Sequence, residues 1–90
     1  MPYKVVFTPQ ATEDVRRLQR ACPEAIKKLA KLLDELKEHP KTGTGKVERL
    51  KHYDDETWSR RITQEHRLVY QVHDDVVKVL VISAYGHYTR

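Results

Sequence analysis

Between residues 9 and 39 the apolar side chains fall twice at steps of three and four, and a proline divides the two runs. Ala11, Val15, Leu18 and Cys22 make the first stripe; Ile26, Leu29, Leu33 and Leu36 make the second. That spacing is the period of an α-helix with one face turned to a core. Thr8-Pro9 suits the start of the first helix. A threonine oxygen accepts from the free amides of the first turn, and a proline there gives up no hydrogen bond. Pro23 ends this helix and lets a second begin. His39-Pro40 closes the second, because the residue before a proline is pushed out of the helical region. Two helices with one narrow apolar stripe each form a hairpin that must pack on something else.

The rest of the chain supplies that partner. Residues 3–7 are a β-branched and aromatic run that reads as an opening strand. After a Gly/Thr/Lys loop at 41–46, segments 47–50, 58–63, 68–72 and 76–84 read as four more strands, broken at 52–57, 64–66 and 73–75. Asp74-Asp75 marks the last break as a hairpin turn. In the final segment Val77, Val79 and Val81 on one face oppose Val76, Leu80 and Ile82 on the other, so this strand is expected inside the sheet. The order is β-α-α-β-β-β-β, an α+β domain with the two-helix hairpin on one face of a mostly antiparallel sheet. With 39% hydrophobic residues in 90, there is material for one modest core, so residues 1–90 are expected to form a single domain. The other face of the sheet is left for function.

Several classes of function are disfavoured. No apolar run approaches the ~18–20 residues of a membrane span, and Met1-Pro2-Tyr3-Lys4 lacks the order of a signal peptide. One cysteine, Cys22, suits a reducing compartment, so the cytoplasm is the expected location. His39, His52, His66 and His73 show no metal-ligand spacing, and no Gly-rich phosphate loop or nucleophile motif is present, so no metal or cofactor is expected. The net charge of +4 fits an anionic partner such as RNA and fits mere solubility equally well.

Cutting RNA through its own 2′-hydroxyl needs a base for that hydroxyl, an acid for the departing 5′-oxygen and cations for the charge on phosphorus. The second half of the chain holds such groups. Glu48 stands amid Lys46, Arg49 and Lys51. Arg60 and Arg61 are adjacent, Arg67 opens the next strand, and Tyr85-Gly86-His87-Tyr88 stands near the end of the chain. Taken singly each has a plainer explanation: Glu48 as a solvated ion-pair residue, Arg60 and Arg61 on the two faces of an exposed strand, Trp58 as packing.

Their wording together is specific. Gly45-Lys46-Val47-Glu48-Arg49-Leu50-Lys51-His52 resembles the G-K-P-E-P-L-K-H segment of the YoeB/Txe toxins of the RelE superfamily. The thirteen residues 58–70, WSRRITQEHRLVY, resemble that family's W-S-R-R-I-T-x-E-H-R-L-V-Y, and His87-Tyr88 resembles its closing H-Y. The resemblance is strong over about 43–88 and survives earlier mainly as the strand–helix–helix pattern. It implies a RelE-like, microbial-ribonuclease-like fold and cleavage of mRNA in the ribosomal A site. It further implies Glu48 as general base, His87 as general acid and Arg67 as the arginine that stabilises the transition state. Lys51, Arg60 and Tyr88 match positions that hold phosphates or support the site, and Arg61 is counted with them as substrate-binding. The partners it implies are a YefM-like antitoxin, the ribosome with its mRNA, and in some members a second copy of the chain. A non-catalytic RNA- or protein-binding module on the same scaffold is the rival reading. Two departures stand out. Tyr85-Gly86 replaces an arginine and a tyrosine common in the family, which removes a cation beside His87, and Thr89-Arg90 runs past the usual end.

Overall fold

The computed structural model describes residues 2–86, so His87 and Tyr88 lie outside the described residues. Its elements are β1 (Lys4–Phe7), α1 (Pro9–Ala21), α2 (Ala25–Glu38), β2 (Glu48–Leu50), β3 (Thr57–Arg61), β4 (Arg67–His73) and β5 (Lys78–Ser83). The sheet order is β1-β5-β4-β3-β2, with β1 parallel to β5 and every other pair antiparallel. The expected order and fold class hold, and β5 lies inside the sheet between β1 and β4.

Thr8 caps α1 as its sequence suggests: its Oγ1 accepts from the Ala11 amide at 3.1 Å, with Pro9 in the first turn. Ala11 and Leu18 are buried, and Val15 and Cys22 flank them against the core. In α2 the seam is displaced by one residue from the expected stripe. Ala25, Leu29, Leu32 and Leu36 are buried, while Ile26 and Leu33 lie half-buried on its flank. The two rows are adjacent on the helix surface, and α2 packs on both α1 and β1, so the apolar band is wider than one row.

The helices cover the sheet face that carries Val5, Phe7, Leu68, Tyr70, Val72, Val79 and Val81. Each large aliphatic group removed from water there contributes roughly 1.5–3 kcal/mol. Val76 and Val77 do not belong to the last strand. Residues Asp74–Val76 form a 3-10 turn and Val77 takes a left-handed backbone (φ 50°), leaving both valines exposed. Reversing the chain from β4 to β5 uses up these residues, and the turn is fastened by Asp74, which accepts from Lys41 Nζ at 2.8 Å and from the Tyr3 hydroxyl. Among the described residues no helix is long and apolar enough to cross a membrane.

Candidate active site

Strand pairing sorts the chemistry-bearing residues between the two faces. Arg60 lies opposite Leu68 and shares the helix-covered face. Glu48 lies opposite Ser59, Ser59 opposite Val69, and Arg61 opposite Arg67, so Glu48, Ser59, Arg61 and Arg67 share the face without helices. Glu48 is exposed; Arg67 is buried.

Arg67 starts on β4 and reaches across β3. Its Nε and Nη2 donate to the Ser59 hydroxyl at 3.2 and 2.9 Å, and Nη2 also donates to the Lys46 carbonyl at 3.1 Å. The guanidinium therefore ends beside the segment that leads into β2, two residues before Glu48. β2 and β4 are two strand spacings apart, roughly 10 Å, and the small side chain between them is Ser59. A carboxylate on one side and a guanidinium on the other thus flank a shared stretch of the open face.

The loop that delivers Glu48 is held along most of its length. Gly45 has φ +94°, and a Cβ there would lie 2.9 Å from the Arg61 carbonyl, so only glycine allows this approach to β3. The Arg61 amide donates to the Gly45 carbonyl, and Lys46, also left-handed at φ 50°, turns the chain into β2. Such a backbone in a non-glycine residue costs roughly 1–2 kcal/mol and persists because its neighbours are fixed. They are fixed from below by Arg60 and Glu35. Glu35 accepts from the Thr44 amide at 2.8 Å and from its hydroxyl at 2.7 Å. These bonds, then the Arg60 charge beside it, hold the Glu35 carboxyl below the usual carboxylate range against the desolvation that opposes them.

Arg60 is wholly buried, and its guanidinium is committed on every side. Its Nε donates to the Tyr70 hydroxyl at 3.0 Å and Nη1 to Glu35 Oε1 at 2.8 Å. The rest of the fork serves the carbonyls of His39, Thr42 and Thr44. Burial pushes the Tyr70 phenol up, so it remains a donor, to the Pro40 carbonyl at 2.7 Å. With its side chain wholly enclosed, Arg60 has no edge to offer a phosphate. Its hydrogen bonds tie residues 39–44 to β3 and to Glu35 of α2. Arg61 is half-buried on the open face. Lys51 lies just past β2 in a shallow pocket with Arg49, Leu50, Tyr53, Asp54 and Asp55. Trp58 packs against the core and its indole N–H donates to Glu56 at 2.9 Å, which leaves it a packing residue.

Two residues of this region escaped sequence reasoning. Asp14, on the buried side of α1, accepts from the Ala84 amide at 3.0 Å and from Gln10 at 2.8 Å, tying the helix to the end of β5. An aspartate one place off an apolar stripe carries no signal of this kind. His66 is buried between β3 and β4, where its Nδ1 accepts from the Gly86 amide at 2.9 Å.

Comparison with known proteins points one way. Residues 7–88 match the family described as YoeB-like toxin of bacterial type II toxin-antitoxin system. The chain is 38% identical to Toxin YoeB of Escherichia coli (strain K12) over 85 residues, which is 94% of this chain and 99% of that protein. Among solved structures it is similar to the YoeB dimer from Staphylococcus aureus, with a TM-score of 0.79 and 35% identity over 96% of this chain and 98% of that one. It is similar also to the toxin in the heterotetrameric YoeB-YefM complex from the same organism, with a TM-score of 0.77 and 37% identity over the same shares.

Proposed function

This chain belongs to the YoeB-like toxin family of bacterial type II toxin–antitoxin systems, and we propose that it arrests translation by cutting mRNA on the ribosome. The reaction is a transesterification. Glu48 takes the proton of the 2′-hydroxyl, whose oxygen attacks the adjacent phosphorus. The bond to the 5′-oxygen breaks, and His87 returns a proton to that leaving oxygen. Arg67 meets the negative charge that builds on the phosphoryl oxygens. The products are a 2′,3′-cyclic phosphate (or the 3′-phosphate it opens to) and a 5′-hydroxyl. RNA brings its own nucleophile, so the step needs no metal.

The observation that carries this reading is the reach of Arg67 across Ser59 to Lys46, which puts a fixed guanidinium on the same open face as Glu48. Lys51, Arg61 and Tyr88 are assigned to the substrate's phosphates and bases. A YefM-like antitoxin is the proposed partner, by likeness to the S. aureus complex, and a homodimer by likeness to the S. aureus dimer. A chain with net charge +4 suits both an acidic antitoxin segment that folds on binding and an RNA substrate. The site of action is then the cytoplasm, where ribosomes translate.

The test uses the purified chain with programmed ribosomes and, separately, with the same mRNA free in solution. Cleavage on the ribosome with new 5′-hydroxyl ends, and little on free RNA, is the expected result. Tight ribosome binding with intact mRNA would overturn the nuclease assignment in favour of a binding module.

A further inference from the structure

His66 belongs to none of the catalytic roles above, yet it is built into the end of the site. The turn it occupies is rigid: the Ile62 and Thr63 amides donate to its carbonyl at 2.9 and 3.1 Å, and its own amide donates to the Thr63 hydroxyl at 3.1 Å. Its ring Nδ1 accepts from the Gly86 amide at 2.9 Å, which leaves the ring proton on Nε2. The carbonyl of Gly86 in turn accepts from the Arg67 amide at 2.9 Å. Both polar groups of Gly86 are therefore taken by consecutive residues of one strand entry. Gly86 itself has φ +76°, a backbone that glycine adopts at least cost. The next residue in sequence is His87.

The ring of His66 is held in turn. It stacks on Tyr85 with centroids 4.4 Å apart, and Arg17 of α1 brings its guanidinium 4.1 Å from the centre of the same Tyr85 ring. A cation over a tyrosine face is attracted by the ring quadrupole. Arg17 thereby ties α1 to the residue that precedes Gly86.

We propose that His66 is a positioning residue: by accepting the Gly86 amide, with Tyr85 and Arg17 bracing its ring, it sets the segment that presents His87 to the substrate. The proposal rests on the nuclease reading and deepens it. Arg67 contributes its guanidinium to the reaction and its backbone to the same clamp, so base-side cation and acid-bearing segment are registered to one another through two adjacent residues.

Two variants separate the hydrogen bond from the packing. His66→Phe keeps a ring against Tyr85 and loses the acceptor; His66→Asn keeps an acceptor and loses most of the ring. Ribosome-dependent cleavage by His66→Phe should fall about tenfold or more in kcat, with KM within about twofold and the melting temperature little changed. His66→Asn should recover most of that loss. Wild-type rates in His66→Phe, or equal losses in both variants, would overturn the proposal. A second readout does not depend on cleavage. Hydrogen exchange at the Gly86 amide should be protected in the wild type and in His66→Asn, and lost in His66→Phe. If the wild type fails to cut mRNA, the nuclease reading falls, and the Gly86 amide still decides the clamp: equal protection in all three proteins refutes it.

Discussion

The guanidinium of Arg67 grips the hydroxyl of Ser59 with two N–H groups, Nε at 3.2 Å and Nη2 at 2.9 Å. Ser59 is fully buried and lies directly across the strand pair from Glu48. One serine thus sits between the proposed base and the proposed transition-state cation and orients the latter. Ser59→Ala removes the acceptor and keeps the volume nearly unchanged. A hydrogen bond to a charged group is worth about 1.5–3 kcal/mol, so cleavage should slow by about ten- to a hundredfold. Single-turnover rates on ribosomes check this, and an unchanged rate would mean Arg67 needs no such anchor.

Arg60 is predicted to matter for stability first. Five acceptors converge on its fork, and no lysine can serve them from one nitrogen. Arg60→Ala should cost about 3–5 kcal/mol, a large share of the ~5–15 kcal/mol available to a small domain. Urea unfolding measures it. Where the variant is still folded at low temperature, cleavage should persist at a reduced rate, because the loop that delivers Glu48 loses its tie to Arg60. A fully stable Arg60→Ala that no longer cuts would return Arg60 to the substrate-binding set.

Much of this was legible in the sequence, and the failures share a physical cause. Periodicity located both helices, because burial on one face is a local property of spacing. It missed the one-residue displacement in α2, since Ile26-Leu29-Leu33 and Ala25-Leu29-Leu32 are equally good rows until α1 and β1 choose between them. The parallel pairing of β1 with β5 joins residues more than 70 positions apart and has no local signature. Alternation already put Arg60 and Arg61 on the two faces of a strand, but only the helices packed over one face make Arg60 a buried tie and leave Arg61 on the open face. Glu48 and Arg67 are singled out only by the wording of their segments; the structure adds that they share the open face. The clamp on Gly86 was not found, because a buried histidine accepting from a distant amide looks in sequence like any other.

Acid should loosen the support of the Glu48 loop. The Glu35 carboxyl is held below its ordinary value in the folded chain, first by the Thr44 amide and hydroxyl. A depressed carboxylate contributes stability that is present above its unfolded pKa and is lost as pH falls through the folded one. Wild-type stability should therefore begin to fall as pH drops through the ordinary glutamate value, about 4.3, and keep falling below it. Glu35→Gln should be less stable at neutral pH, by about 1–3 kcal/mol, and should show a shallower decline in acid. Thermal melts from pH 7 to pH 3 compare the two; parallel curves would show that Glu35 is not linked to folding.

In the proposed reaction Glu48 and His87 act as base and acid on one phosphate held by Arg67. The most direct measurement is the rate of mRNA cleavage on programmed ribosomes by Glu48→Gln and His87→Gln, each purified with its folded state verified by circular dichroism. Losses of about 10²–10⁴-fold in each single variant, with ribosome binding retained, are predicted. Undiminished cleavage by either variant would contradict the claim.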